Sequence, residues 1–137
     1  MRLRAIVFDV DGTLAETHEH QIRALLRHHL PEAAVLFDPI LGQEAGVKTA
    51  SDSPLYRRCL ALLGTPPEET LALEDSEVGL RAAHAAGLPC AVIYNDYTFG
   101  EPFAGAALTA PSLELFDLDR LAALCLSQGK PEAAVRV

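Results

Sequence analysis

Short apolar runs alternate along this chain with amphipathic segments of about ten residues, and this alternation constrains the fold more than any other feature. The clearest runs are residues 4–8, 70–73 and 90–93, whose composition is typical of strands buried on both faces of a parallel sheet. A weaker run at 107–109 predicts one more strand. Helices that join parallel strands form right-handed crossovers. The sequence therefore predicts an α/β domain of three layers with a mostly parallel, Rossmann-like sheet.

Helix signals fill the spaces between these runs. Ser53 and Pro54 are typical of an N-cap followed by the first residue of a helix. Asp117 is a second N-cap candidate, and Gly87 has the position of a residue that closes a helix. The four predicted helices span about 19–30, 54–63, 78–86 and 118–126.

A further strand is predicted from Val35 to Leu41, with Pro39 placing it at an edge because proline cannot donate to a sheet.

The size and cysteine content of the chain fit one reduced domain. Its 137 residues, 50% of them apolar, are enough for one core without disulfides. We expect a single core domain over residues 1–129 and a tail over 130–137. Cys59, Cys90 and Cys125 form no CxxC pair, which favours reduced and mostly buried thiols.

The charge balance excludes some partners. The chain has 11 Lys and Arg against 19 Asp and Glu, a net charge of −8, and no basic segment, so nucleic acid is not an expected partner. No apolar segment approaches the roughly 18 residues that span a bilayer. We therefore expect a cytoplasmic protein without a membrane partner.

Carboxylates follow two of the predicted strands. Asp9 and Asp11 come directly after the first, and Asp75 follows the run at 70–73. Ligands bind beyond the carboxyl ends of strands in such sheets, and clustered carboxylates call for a cation or a shared proton. A metal site or an acid–base role therefore explains them, and three oxygen donors suit Mg²⁺ better than zinc. An Asp-rich turn after a strand is the alternative.

These carboxylates lie in two segments that resemble motifs of haloacid dehalogenase-like (HAD) phosphatases. FDVDGTLAET, residues 8–17, resembles the first motif of that superfamily over ten consecutive positions. LEDS, residues 73–76, with the GLRAA and AG that follow, resembles the fourth. The loop over residues 95–106 is similar to the phosphoglycolate and sugar-phosphate phosphatase branch. The predicted fold is thus a HAD-like core.

The resemblance implies a Mg²⁺-dependent phosphomonoester hydrolase that acts on a small phosphorylated metabolite. Asp9 would be the nucleophile that becomes an aspartyl phosphate, and Asp11 the general acid and base. Asp9, the backbone carbonyl of Asp11 and Asp75 would hold the Mg²⁺, with Glu74 beside the ligand set. The phosphate would be positioned by Gly12 and Thr13.

The lysine of the third motif has two candidate positions. Lys48, in the segment KTASD, resembles the KPASD form of this motif but stands about two residues further from the helix that follows. Alignment on Leu55 and Tyr56 instead places Ala50 at the lysine position. We favour Lys48 as the catalytic lysine, since an insertion in a loop has a small energetic cost.

The chain lacks two parts of the related enzymes. Only residues 17–20 remain where they place a helical cap domain and the strand that ends in the Ser or Thr of the second motif. The cap excludes water and selects substrate, and loss of one oriented donor costs on the order of a hundred-fold to a thousand-fold in turnover. We therefore expect a capless, shortened core that self-associates over its exposed apolar surface. A non-catalytic interaction module that retains metal binding is the alternative.

Two roles are open for the aromatic residues of the loop after residue 93. Four of them fall within about ten residues, and they either form a wall for a substrate or a subunit contact, or pack over the edge of the sheet. They are Tyr94, Tyr97, Phe99 and Phe103.

Overall fold

The computed structural model describes residues 3–9, 19–42, 46 and 52–126. These residues contain a four-stranded parallel sheet in the order β1-β2-β3-β4. The strands are β1 (Ala5–Phe8), β2 (Thr70–Glu74), β3 (Cys90–Ile93) and β4 (Leu108–Ala110).

Four α-helices accompany the sheet, close to their predicted bounds. They are α1 (Glu19–His29), α2 (Pro54–Leu63), α3 (Glu77–Ala85) and α4 (Leu118–Leu126). Short 3₁₀ turns lie at Ala34–Leu36, Pro67–Glu69 and Leu113–Leu115.

Two core clusters cover opposite faces of the sheet. Ala72 of β2 packs with Leu80 of α3 in one cluster, to which Tyr56 of α2 also belongs. Leu71 of β2 faces the other way and packs with residues of α4. Successive residues of a strand point to opposite faces, so β2 contributes to both clusters. This arrangement confirms the predicted three-layer α/β architecture with a parallel sheet.

The first strand is less buried than its composition predicts. All five residues of β2 are buried, whereas those of β1 are only partly so and Phe8 is 43% exposed. Among the described residues, β1 pairs only with β2 and therefore forms an edge of the sheet. The prediction of a strand buried on both faces is thus correct for β2 and wrong for β1.

The strand predicted from Val35 to Leu41 is wrong. This segment begins with the Ala34–Leu36 turn, in which Val35 and Leu36 are 84% and 80% exposed. Ile40 instead packs with Leu26 of α1 in a small separate core. No strand in the described residues pairs with this segment, and Pro39 has no N–H to donate. Phe37 and Ile40 therefore pack toward α1, and the segment does not extend the sheet.

The helix caps are partly as predicted. Asp117 accepts a hydrogen bond from the N–H of Arg120 at 2.8 Å and so caps α4. Ser53 stands at the N-cap position of α2, but its side chain does not cap the helix. Its fully buried hydroxyl donates instead to the carbonyl of Ala82 at 2.6 Å and thereby ties α2 to α3. The prediction gave the correct start of α2 but the wrong partner for the serine.

The described cysteines are reduced, as predicted. Cys59 and Cys90 are both buried thiols outside any disulfide, and burial raises the pKa of the Cys59 thiol. The side chain of Cys125 lies outside the described part of the chain. The boundary at residue 129 and the tail 130–137 also lie outside it and stay predictions. Among the described helices, none combines the length and the apolar character that a membrane crossing requires.

Candidate metal centre

The register of β1 against β2 places Asp9 beside Glu74. Phe8 of β1 is paired with Leu73 of β2, and the N–H of Asp9 donates to the carbonyl of Leu73 at 3.0 Å. Asp9 therefore comes level with Glu74 at the carboxyl ends of two parallel strands, where ligands bind in sheets of this kind.

Three carboxylates converge at this edge of the sheet. One oxygen each of Asp9, Glu74 and Asp75 lies within 4.8 Å of the others. Oδ1 of Asp75 is buried and has no hydrogen-bond partner among the described residues. A buried acceptor without a partner costs about 1–3 kcal/mol. Like charges so close raise the energy further unless a cation neutralises them.

The donor set fits a magnesium ion. All three ligand atoms are carboxylate oxygens, the hard donors that Mg²⁺ selects over nitrogen or sulfur. The three oxygens lie within 4.8 Å of one another, so one ion could be held among them. The unpartnered oxygen of Asp75 is a ready ligand for the same ion.

Glu74 is the most enclosed member of the cluster. It is 3% exposed, and its Oε1 accepts a hydrogen bond from the buried hydroxyl of Tyr56. Gly79 of α3 lies against the same carboxylate, and a Cβ at that position would overlap it. Burial, and then the charge of Glu74, raise the pKa of Tyr56 well above its ordinary value. Tyr56 is therefore a neutral donor that holds a buried carboxylate.

Asp75 is held from the other side by the loop that follows β3. Nδ2 of Asn95 donates to Oδ2 of Asp75 at 3.3 Å. Further along the same loop, the carboxylate of Glu101 accepts from the N–H of Glu77 at 2.7 Å. The loop thus contacts the turn at its first residue, Asp75, and at its last residue, Glu77.

The predicted site residues divide into two groups. Asp9 and Asp75 lie together as predicted, and Glu74, expected beside the ligand set, contributes an oxygen to the same cluster. The others lie outside the described residues, so the structure does not place them: Asp11, Gly12, Thr13, Lys48 and Ala50.

Sequence reasoning did not single out two residues that contact the cluster. Tyr56 has the pattern of an ordinary core residue of α2, and its hydroxyl gave no separate signal. Asn95 was noted only as part of a loop similar to one phosphatase branch. A polar residue just after the strand next to β2 was the available signal for Asn95, because strand ends share one edge of the sheet.

Packing accounts for part of the aromatic loop. Tyr94 and Phe103 stack with centroids 6.3 Å apart, and Phe103 packs against the α2–α3 side of the core. Tyr97 and Phe99 instead remain 96% and 74% exposed. A shallow cavity of about 310 Å³ lies beside Phe99 and is lined by Tyr94, Asn95, Asp96, Phe99 and Pro111. A role of the exposed rings in contacting a substrate or a second subunit stays a prediction.

The fold and the site together define a class: an α/β domain with a carboxylate cluster at the carboxyl ends of neighbouring parallel strands. The chain matches no model of a known protein family. Individual proteins do match part of the chain. Protein CbbY of Cereibacter sphaeroides is 45% identical over 74 residues, which cover 54% of this chain and 32% of that protein. A haloacid dehalogenase-like hydrolase domain-containing protein of Arabidopsis thaliana is 34% identical over 73 residues, 51% of this chain and 23% of that protein.

Solved structures of CbbY share the fold. CbbY from Rhodobacter sphaeroides in complex with xylulose 1,5-bisphosphate has a TM-score of 0.62 and 36% identity, and the match covers 78% of this chain and 48% of that one. The complex with phosphate has a TM-score of 0.61, 36% identity and coverage of 77% and 48%. The chain thus spans about a third of the CbbY sequence and half of its structure. These matches confirm the predicted resemblance: the chain is related to the haloacid dehalogenase-like hydrolases, with CbbY proteins among its relatives.

Proposed function

We propose that this protein is a Mg²⁺-dependent phosphomonoester hydrolase that works through an aspartyl phosphate on Asp9. The observation that carries the proposal is the convergence of Asp9, Glu74 and Asp75 around the buried, unpartnered oxygen of Asp75. The relationship to haloacid dehalogenase-like hydrolases supports the same chemistry.

The reaction would begin with attack of the Asp9 carboxylate on phosphorus. The bond from phosphorus to the ester oxygen breaks, and Asp11 gives a proton to the departing alcohol. Asp11 then takes a proton from the water that hydrolyses the aspartyl phosphate, which restores Asp9 and releases inorganic phosphate. The role of Asp11 follows from the resemblance of residues 8–17 to the first motif of the superfamily.

Carboxylates of Asp9, Glu74 and Asp75, with the backbone carbonyl of Asp11, would hold the Mg²⁺. When bound, Mg²⁺ neutralises the cluster and reduces the repulsion between the Asp9 carboxylate and a phosphate dianion. Gly12 and Thr13 would position the phosphoryl oxygens, and Lys48 would pair with Asp9 and the phosphate. In this proposal Glu74 joins the ligands because its oxygen lies in the same cluster.

The substrate would be a small phosphorylated metabolite. Solved CbbY structures hold xylulose 1,5-bisphosphate and phosphate, which favours a sugar phosphate as the first compound to test. Phe99 is exposed beside the cavity at the end of β3 and would offer apolar contact to the part of the substrate beyond its phosphate. Such a reaction fits the predicted cytoplasmic location, where phosphorylated metabolites occur.

Hydrolysis of p-nitrophenyl phosphate tests the proposal. The wild-type protein is compared with Asp9→Asn in the presence and absence of Mg²⁺, and Asp119→Asn on the exposed start of α4 serves as the matched control. We expect Mg²⁺-dependent turnover in the wild type and the control, and none above background in D9N, because an amide does not attack phosphorus.

Two results would contradict the proposal. Equal rates for wild type and D9N would show that the turnover does not come from Asp9. Binding of Mg²⁺ without turnover of this compound or of a panel of sugar phosphates would instead favour a metal-binding module without catalysis.

A further inference from the structure

We propose that Asn95 is a positioning residue that orients the metal ligand Asp75 and links the conformation of the loop after β3 to metal affinity. The proposal rests on the metal centre of the proposed function. It concerns a residue that acts through Asp75 and supplies no ligand to the metal.

The amide of Asn95 has a fixed orientation. Its Oδ1 accepts from the N–H groups of Tyr97 at 2.9 Å and Thr98 at 3.1 Å, and also from the hydroxyl of Thr98 at 3.3 Å. An amide oxygen accepts and an amide nitrogen donates, so these N–H groups require the oxygen on their side. Nδ2 must therefore face the opposite side, where Oδ2 of Asp75 lies at 3.3 Å.

The turn that holds this amide is itself anchored. Thr98 is buried, and its hydroxyl accepts from the N–H of Asn95 at 3.0 Å. The carbonyl of Asn95 accepts from the N–H of Phe99 at 2.9 Å. Every polar group of Asn95 is thus used, which restricts the side chain to one rotamer.

Asp75 has two oxygens with different surroundings. Oδ2 is bound by Asn95, whereas Oδ1 is buried without a partner. Fixing one oxygen of a carboxylate fixes the direction of the other. Asn95 thereby keeps an oxygen of Asp75 within 4.8 Å of the oxygens of Asp9 and Glu74. A neutral donor suits this role because it orients Asp75 and leaves its negative charge for the cation.

The expected consequence is a loss of Mg²⁺ affinity when the donor is removed. Removal of groups that orient metal ligands typically weakens metal binding by about 10–100-fold. Asn95 is exposed and its bond to Asp75 is long, so we expect the lower end, about 10-fold.

Asn95→Ser is the informative variant. A serine hydroxyl still accepts from the turn N–H groups but is too short to reach Asp75. Asp96→Asn is the matched control, since it changes the charge of the neighbouring exposed residue and leaves the Asn95 amide in place. Thr98→Ala is a second control, which weakens the same turn and keeps the donor.

Titration calorimetry with Mg²⁺ and thermal unfolding without Mg²⁺ give the two readouts. We expect the Kd for Mg²⁺ to rise about 10-fold in N95S. The Kd should change less than about two-fold in D96N, and the midpoint of N95S without metal should stay near that of the wild type.

Three outcomes would overturn the inference. An unchanged Kd in N95S, with a wild type that binds Mg²⁺, would overturn the positioning role alone. Equal losses of affinity in N95S and T98A would show that the turn, and not the amide, matters. A wild-type protein that binds no Mg²⁺ would overturn the metal centre of the proposed function and the role of Asn95 with it.

Discussion

Replacing Gly79 by alanine tests how rigidly the buried Glu74 is held. Alanine is favoured over glycine inside a helix by about 1 kcal/mol, so helix propensity alone predicts a more stable protein. The structure predicts the opposite sign. The three atoms nearest to a Cβ at position 79 all belong to the Glu74 carboxyl group, and the farthest of them, Oε1, is only 3.0 Å away.

The magnitude follows from what must move. Overpacking in a tight site costs about 1–3 kcal/mol. Displacing the carboxylate also separates it from the Tyr56 hydroxyl, which leaves a buried charged acceptor unpaired at a cost of at least about 1–3 kcal/mol. After the gain in helix propensity, the free energy of unfolding should fall by about 1–5 kcal/mol. The entropy of unfolding for 137 residues is about 0.3 kcal/mol/K, so Tm should fall by about 3–17 °C.

Urea unfolding and calorimetry of the wild type and G79A measure this difference. Val78, exposed on the same helix, gives the matched control. Val78→Ala should be more stable than Val78→Gly by about 0.5–1 kcal/mol, which reports the propensity effect without the overlap. A G79A protein as stable as the wild type would refute the reasoning, because it would mean that Glu74 moves at no cost.

Two further perturbations test other parts of the structure. Tyr56→Phe should lower the free energy of unfolding by about 1.5–3 kcal/mol in urea titration, because the buried Glu74 loses its donor. Tyr97→Phe, at a site 96% exposed, should stay within about 0.5 kcal/mol, and equal effects of the two would contradict the assignment. Burial lowers the pKa of His84 below its ordinary 6.5, against a hydrogen bond to the Gly105 backbone that raises it. As the pH falls, His84 therefore binds a proton in the unfolded chain before it does so in the folded chain. The contribution of neutral His84 to the free energy of unfolding is thus fully present above pH 6.5 and is lost as the pH falls below that value. The unfolding midpoint should fall less between pH 7.5 and pH 5.5 in His84→Gln than in the wild type, and identical falls would disprove the effect.

Much of the fold was predictable because its signals are local. Apolar runs of strand length and helices of 3.6-residue period gave β1, β2, β3 and all four helices nearly at their observed bounds. The prediction for residues 35–41 failed because the apolar residues had the composition of a strand, but no strand in the described part of the chain pairs with them. Pairing is a non-local property, and so is the burial of β1, which depends on whether a neighbour lies on both sides.

The candidate site shows the same division. The resemblance of residues 8–17 and 73–76 to two motifs predicted that Asp9 and Asp75 would meet. It did not predict the hydroxyl of Tyr56 on Glu74, because that contact joins α2 to β2 across 18 residues of sequence. The Asn95 contact with Asp75 was missed for the same reason, being set by the neighbouring positions of β2 and β3.

The sequence by itself determined the class of fold and the identity of the carboxylates. Both depend on local signals, since the period of the apolar residues and the residue types of a motif can be recognised in a short stretch of sequence. Only the tertiary structure decided which oxygen of Asp75 stays unpartnered, which glycine approaches Glu74, and which residues hold the two carboxylates in place. Those outcomes depend on strand register and on packing between distant segments. Register and packing are settled by the burial of the whole core, and a short stretch of sequence does not carry that information.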